Sequence, residues 1–104
     1  MKRAVSWSRA ALNELKALVA YIARDNPVAA RRVAARIRST GDALADFATG
    51  NQGRVAETYE KSVSGLPYII AYAIDRKEGV EAVVVLHVIH TARDWREGTW
   101  PGNT

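Results

Sequence analysis

Cysteine is absent from the 104 residues, which removes disulfide staples and thiolate chemistry from consideration. Secreted domains of this size usually depend on such cross-links, so a reducing cytoplasm is the expected location. No stretch approaches the run of about 18 apolar residues that a membrane span needs. The opening Met1-Lys2-Arg3-Ala4-Val5-Ser6-Trp7-Ser8-Arg9 has no apolar stretch of the kind that marks a secretion signal, so a soluble protein without membrane contact is expected. Phosphate-binding glycine loops are also missing. Gly50, Gly53, Gly65 and Gly79 form neither G-x-x-x-x-G-K nor G-x-G-x-x-G, and nucleotide binding is unsupported. Ser62 and Ser64 lack the glycine-flanked elbow of a hydrolase nucleophile. Repeats, linkers and low-complexity stretches are absent too, which leaves one domain over residues 1–104 with a frayed end at about 99–104.

What is present is ordinary globular material, 48% hydrophobic and 25% charged. Fifteen Lys and Arg against eleven Asp and Glu give a formal charge of +4. Two readings of that charge stand: a generic solvated surface, or a surface for an acidic partner, either nucleic acid or an acidic protein segment.

Val5 and Trp7 alternate in a short opening strand over residues 3–7, and Ser8 suits the N-cap of a helix over residues 9–24. Leu12, Leu15, Val19 and Ile22 recur at spacings of three and four, with Leu18 and Tyr21 widening the stripe and Asn13, Glu14, Lys16 and Arg24 away from it. Pro27 ends that helix and starts a second, capped by Asn26, that runs to about Phe47. Ala30, Val33, Ile37, Gly41, Leu44 and Phe47 share its inner arc, and Arg31, Arg32, Arg36 and Arg38 flank the other side.

After the polar loop Thr49-Gly50-Asn51-Gln52-Gly53 the helical period disappears. Three strands follow, over residues 54–63, 68–75 and 80–90, with Gly65-Leu66-Pro67 and the five residues 75–79 as turns. Ala82-Val83-Val84-Val85-Leu86 is apolar on both faces, which predicts a central strand covered on both sides, or on one side by a partner. The order predicts an α+β fold: an N-terminal strand and a helical hairpin on a small, mainly antiparallel sheet of three or four strands.

His87 and His90, with Arg93, Asp94 and Trp95, form the densest polar and aromatic cluster. Residues three apart on a strand face opposite ways, and no cysteine helps, so neither a metal nor any cofactor is expected. Metal-free RNA cleavage would use His87 or His90 as proton carrier and Arg54, Lys61 or Arg93 as phosphate stabiliser. Trp95 and Trp100 admit two readings, packing of the tail or anchoring of an interface.

In order along the chain stand Val5-Ser6-Trp7-Ser8, Ala11-Leu12-Asn13-Glu14-Leu15, Tyr21-Ile22, Asn26-Pro27-Val28-Ala29-Ala30, Gly65-Leu66-Pro67-Tyr68-Ile69-Ile70-Ala71-Tyr72, Val85-Leu86-His87 and Ala92-Arg93-Asp94-Trp95. Together they resemble the toxins of the ParE/RelE superfamily of bacterial type II toxin–antitoxin systems, nearer the ParE-like branch. The resemblance implies a toxin neutralised by a co-encoded, ParD-like antitoxin, which alone contacts operator DNA. Its implied target is DNA gyrase, with messenger RNA cleavage on the ribosome or a degenerate antitoxin-binding module as alternatives. A binding toxin needs no catalytic residue, and Tyr59, Lys61, Arg93, Asp94, Trp95 and Trp100 are its expected target contacts. The chain departs from the family pattern where Tyr59, in place of arginine, precedes Glu60, and in a tail that runs on past Asp94-Trp95.

Overall fold

The computed structural model describes residues 3–48, 51–53 and 56–91. A five-stranded mixed sheet carries a helical hairpin on one face. Its strands are β1 (Ala4–Trp7), β2 (Asn51–Gln52), β3 (Tyr59–Ser62), β4 (Tyr68–Lys77) and β5 (Val80–His90), and the helices are α1 (Arg9–Ala23) and α2 (Pro27–Asp42). Spatial order is β1-β5-β4-β3-β2, with β1 parallel to β5 and every other pairing antiparallel. The apolar run at residues 82–86 is therefore central, as its composition requires. The sheet has one strand more than expected: β2 is two residues in the polar loop, held by pairing with β3 rather than by any apolar pattern of its own.

Both helix starts follow from their caps. Ser8 accepts a hydrogen bond from the Ala11 amide at 3.0 Å, and Asn26 accepts one from the Ala29 amide at 3.0 Å, with Pro27 opening α2. Ala11, Leu15 and Ile37 meet Val63, Ile70, Val85 and Val88 in the main core, and Leu44, Tyr72 and Val83 form a second cluster beside it. The buried stripe of α1 is rotated from the expected one. Ala11 rather than Leu12 leads it, and Leu12 and Tyr21 stand 42% and 71% exposed. The small Ala11 side chain lets the helix approach the sheet closely, which turns its larger neighbour outward.

α2 stops earlier than its apolar spacing suggests. A single 3₁₀ turn over Ala43–Ala45 tightens the winding, keeps Leu44 buried and carries Phe47 out to 74% exposure. Gly41 lies under Trp7. A Cβ there would come within 2.4 Å of Trp7 Cζ2, so only glycine allows α2 to approach β1 this closely. Trp7 is held besides by Arg38 above its ring at 4.9 Å and by its indole N–H, which donates to Asp42 at 3.2 Å.

The β4–β5 hairpin runs further than residues 68–75 and 80–90 imply. Only Glu78 and Gly79 remain in the turn, at φ 53° and 79°, the two positive values that a tight type I′ connection demands. At the other end of the hairpin the register slips. Ala71 pairs with His87 but Tyr72 pairs with Val85, which leaves Leu86 as the extra residue of a bulge.

Candidate interaction surface

The bulge determines what happens to His87. β1 ends opposite Val85, so beyond that point one edge of β5 has no strand beside it among the described residues. Ser8, the N-cap of α1, and Glu14 within that helix take the place of a strand. The Ser8 amide donates to Val85 O at 2.9 Å, and the Ser8 hydroxyl donates to Leu86 O at 2.8 Å. Glu14 then accepts the Val88 amide at 3.0 Å and lies 3.0 Å from His87 Nδ1. A carboxylate offers only acceptors, so this contact requires a hydrogen on Nδ1. His87 is buried, and its pairing with Glu14 fastens α1 to the sheet. The apolar stripe as read from the sequence left Glu14 outside. The signal that places it inside is its spacing, three residues after Ala11 and four before Leu18, both of which pack in the core.

His90 sits elsewhere. It ends β5 opposite Tyr68, whose ring it meets edge-on at 5.3 Å. Lys61 and Tyr59 belong to β3, separated from β5 by the whole width of β4. Tyr59 stacks on Tyr72 with ring centroids 5.4 Å apart. Burial raises the Tyr72 hydroxyl above the ordinary tyrosine range, and Tyr59 adds to the shift. The described residues among those named for proton transfer and phosphate stabilisation thus stand in three places: His87 on β5 against α1, His90 at the end of that strand, and Lys61 across the sheet. Arg54, Arg93, Asp94, Trp95 and Trp100 lie outside the described residues. No group of three or more His, Asp or Glu among the described residues is arranged to hold a metal, and no described helix is long and apolar enough to cross a membrane.

Charge is unevenly divided along the chain. Residues 9–42 carry Arg9, Lys16, Arg24, Arg31, Arg32, Arg36 and Arg38 against Glu14, Asp25 and Asp42, a balance equal to the chain's full +4. All seven cations are exposed. Two of the three acids are hydrogen-bonded to the sheet, Glu14 to β5 and Asp42 to Trp7 of β1. The rest of the chain is balanced, and it includes the ion-paired group in which Glu81 accepts from Arg3 at 2.8 Å and Arg76 at 2.6 Å. Those two hydrogen bonds, Arg3's first, hold the Glu81 carboxyl below the usual carboxylate range.

On the hairpin's flank, α2 and the turn between β3 and β4 enclose a groove of about 200 Å³ lined by Arg32, Val33, Arg36, Ser64, Gly65 and Leu66. Arg36 donates to Ser64 O at 3.0 Å across it. The arginines were legible in the sequence as a flanking row. The groove was not, because it exists only where the 64–66 turn folds back onto α2.

Comparison with known proteins agrees with this architecture. The family model described as ParE toxin of type II toxin-antitoxin system, parDE, matches residues 5–95. The protein Y4kP of Sinorhizobium fredii, provisionally named a toxin, is 40% identical over 95 residues, covering 90% of this chain and 94% of that one. Toxin RelE2 of Caulobacter vibrioides is 34% identical over 90 residues, covering 86% of this chain and 96% of its own. Among solved structures, a chain of the chromosomal ParDE TA system from P. aeruginosa superposes with a TM-score of 0.77 at 16% identity, covering 86% of this chain and 96% of that one, which shows the shared fold. A match over nearly the whole chain, on an α+β body of this topology, makes the protein a member of the ParE toxin family of type II toxin–antitoxin systems.

Proposed function

We propose that the chain arrests bacterial growth as a binding protein, with DNA gyrase as its target, and that a co-encoded antitoxin neutralises it in the cytoplasm. Family membership supplies the toxin role. The observation that favours binding over chemistry is the separation of the described candidates His87, His90 and Lys61 in the fold, above all the burial of His87, which is 8% exposed and lies against Glu14 of α1. A general base needs to reach the proton it removes, and His87 instead fastens a helix to a strand. Target contact falls to Tyr59 and Lys61 on the sheet, together with Arg93, Asp94, Trp95 and Trp100. Purified chain is expected to block supercoiling by gyrase in vitro. Undiminished supercoiling at saturating toxin would remove gyrase as the target.

A second reading, ribosome-dependent cleavage of messenger RNA, draws support from the similarity to the protein named RelE2 and from His90, which is exposed at the end of β5. Translation-dependent RNA cleavage that disappears in a His87→Ala, His90→Ala double variant shown by circular dichroism to be folded would establish it in place of the first. Expression of the chain alone separates both from a degenerate module, which would leave growth unaffected.

A further inference from the structure

α2 carries four arginines and no acidic residue before Asp42, whose carboxylate is bonded to Trp7. Arg32 and Arg36 are four apart and therefore neighbours on one helix face, where like charges oppose folding. No ion pair to either arginine is found among the described residues. Among the described residues Arg32 makes no hydrogen bond or ion pair. Arg36 gives one donor to the Ser64 carbonyl, which pins its guanidinium beside the groove and leaves other donors of its fork unassigned. Between the two arginines and the turn lie Val33 and Leu66, which also pack on the main core. The walls are therefore fixed in place, and they are apolar.

From this geometry we infer that the groove receives a protein segment presenting a carboxylate beside a branched apolar side chain. The carboxylate sits between Arg32 and Arg36, and the apolar group between Val33 and Leu66. A volume of about 200 Å³ accommodates side chains rather than a whole helix. Guanidinium forks suit carboxylate and phosphate alike, but a phosphate backbone has no apolar group to bury against Val33 and Leu66. An acidic peptide uses both halves of the site. The inference rests on the antitoxin proposed above as the source of that segment.

The test uses the full chain and the product of the reading frame adjoining its gene, with affinity measured by titration calorimetry. Arg32→Glu is expected to weaken binding by about 30-fold, the size of effect that follows when one partner of a desolvated charge pair is lost. Arg24→Glu, on the same basic layer but outside the groove, is expected to change it by about threefold or less. Leu66→Ala is expected to weaken binding without altering its dependence on salt. Exchanging the partner's matching carboxylate for arginine is expected to restore affinity for Arg32→Glu, a rescue that a merely structural role would not show. Equal affinity of wild type and Arg32→Glu overturns the groove while leaving the antitoxin reading intact. A neighbouring product that fails to bind the wild-type chain overturns both. A fluorescent DNA duplex that binds with the same dependence on Arg32 and Leu66 as the neighbouring product overturns the assignment to a peptide. Thermal melts followed by circular dichroism check that each variant is folded.

Discussion

Along β5, residues 82–85 have β1 on one side and β4 on the other, whereas residues 86–90 have, among the described strands, β4 alone and are met on the other side by Ser8 and Glu14. The first half is secured by a backbone ladder, which depends little on which side chains the strands carry. The second half depends on two particular side chains. Where a strand stops short, a helix cap and one carboxylate satisfy the groups it would have paired.

That contrast can be broken most forcefully from behind the first half. Gly41→Val places side-chain atoms where Trp7 already stands, and overpacking of this kind costs about 3 kcal/mol. Urea denaturation is expected to show the loss, and stability within about 0.5 kcal/mol of wild type would mean that β1 does not depend on this close approach. The second half is tested through Glu14→Ala, which strips Val88 of its acceptor and His87 of its partner, at a cost of about 2 kcal/mol. Hydrogen exchange at the Val88 amide should accelerate in that variant, and Glu14→Gln, which keeps an acceptor, should lose less than half as much. Ser8→Ala removes a cap and the donor to Leu86, with an expected loss of about 1 kcal/mol, largely recovered by Ser8→Thr.

A smaller gain is expected from Glu78→Asn in the hairpin turn. Asparagine tolerates the positive φ better than glutamate, and about 0.5 kcal/mol of added stability should appear as a higher denaturation midpoint. The faintest effect concerns pH. Glu81 joins Arg3 ahead of β1 to Arg76 on β4, and its folded-state pKa lies below its unfolded one. Its contribution is therefore complete above the ordinary carboxylate range and fades as pH falls through the lowered folded value. Stability profiles of wild type and Glu81→Gln should converge in acid and separate toward neutrality. Parallel profiles would show that the ion pairs do not contribute.

Much of the architecture was legible because local signals agreed. Ser8 and Asn26 announced helix starts, Pro27 placed the reversal, and the apolar run at residues 82–86 marked the central strand. Misreadings arose where a distant contact decided the outcome. Leu12 and Tyr21 face outward because Ala11 sets the depth of α1, and Phe47 is exposed because a 3₁₀ turn intervenes. Neither feature leaves a mark in apolar spacing. Glu14 is the instructive case, an acid counted as surface that reaches inward to a backbone amide 74 residues away. Of the candidate site, the arginine row could be seen in the sequence, but its pairing with Ser64 and Leu66 depends on tertiary approach. Periodicity carries no information on that.

The uneven division of charge along the chain has a further consequence. Among the described residues the helical stretch 9–42 carries +4, while the others, with Arg3, Lys61, Arg76 and Lys77 against Asp46, Glu57, Glu60, Asp75, Glu78 and Glu81, carry −2. This described body is electrically lopsided, and an anionic partner exerts a torque on it as well as a pull. It is turned helices-first while still diffusing. Dissolved ions weaken that guidance over a distance of about 8 Å at physiological salt, so encounter rates should fall with salt more steeply than lifetimes of the bound state.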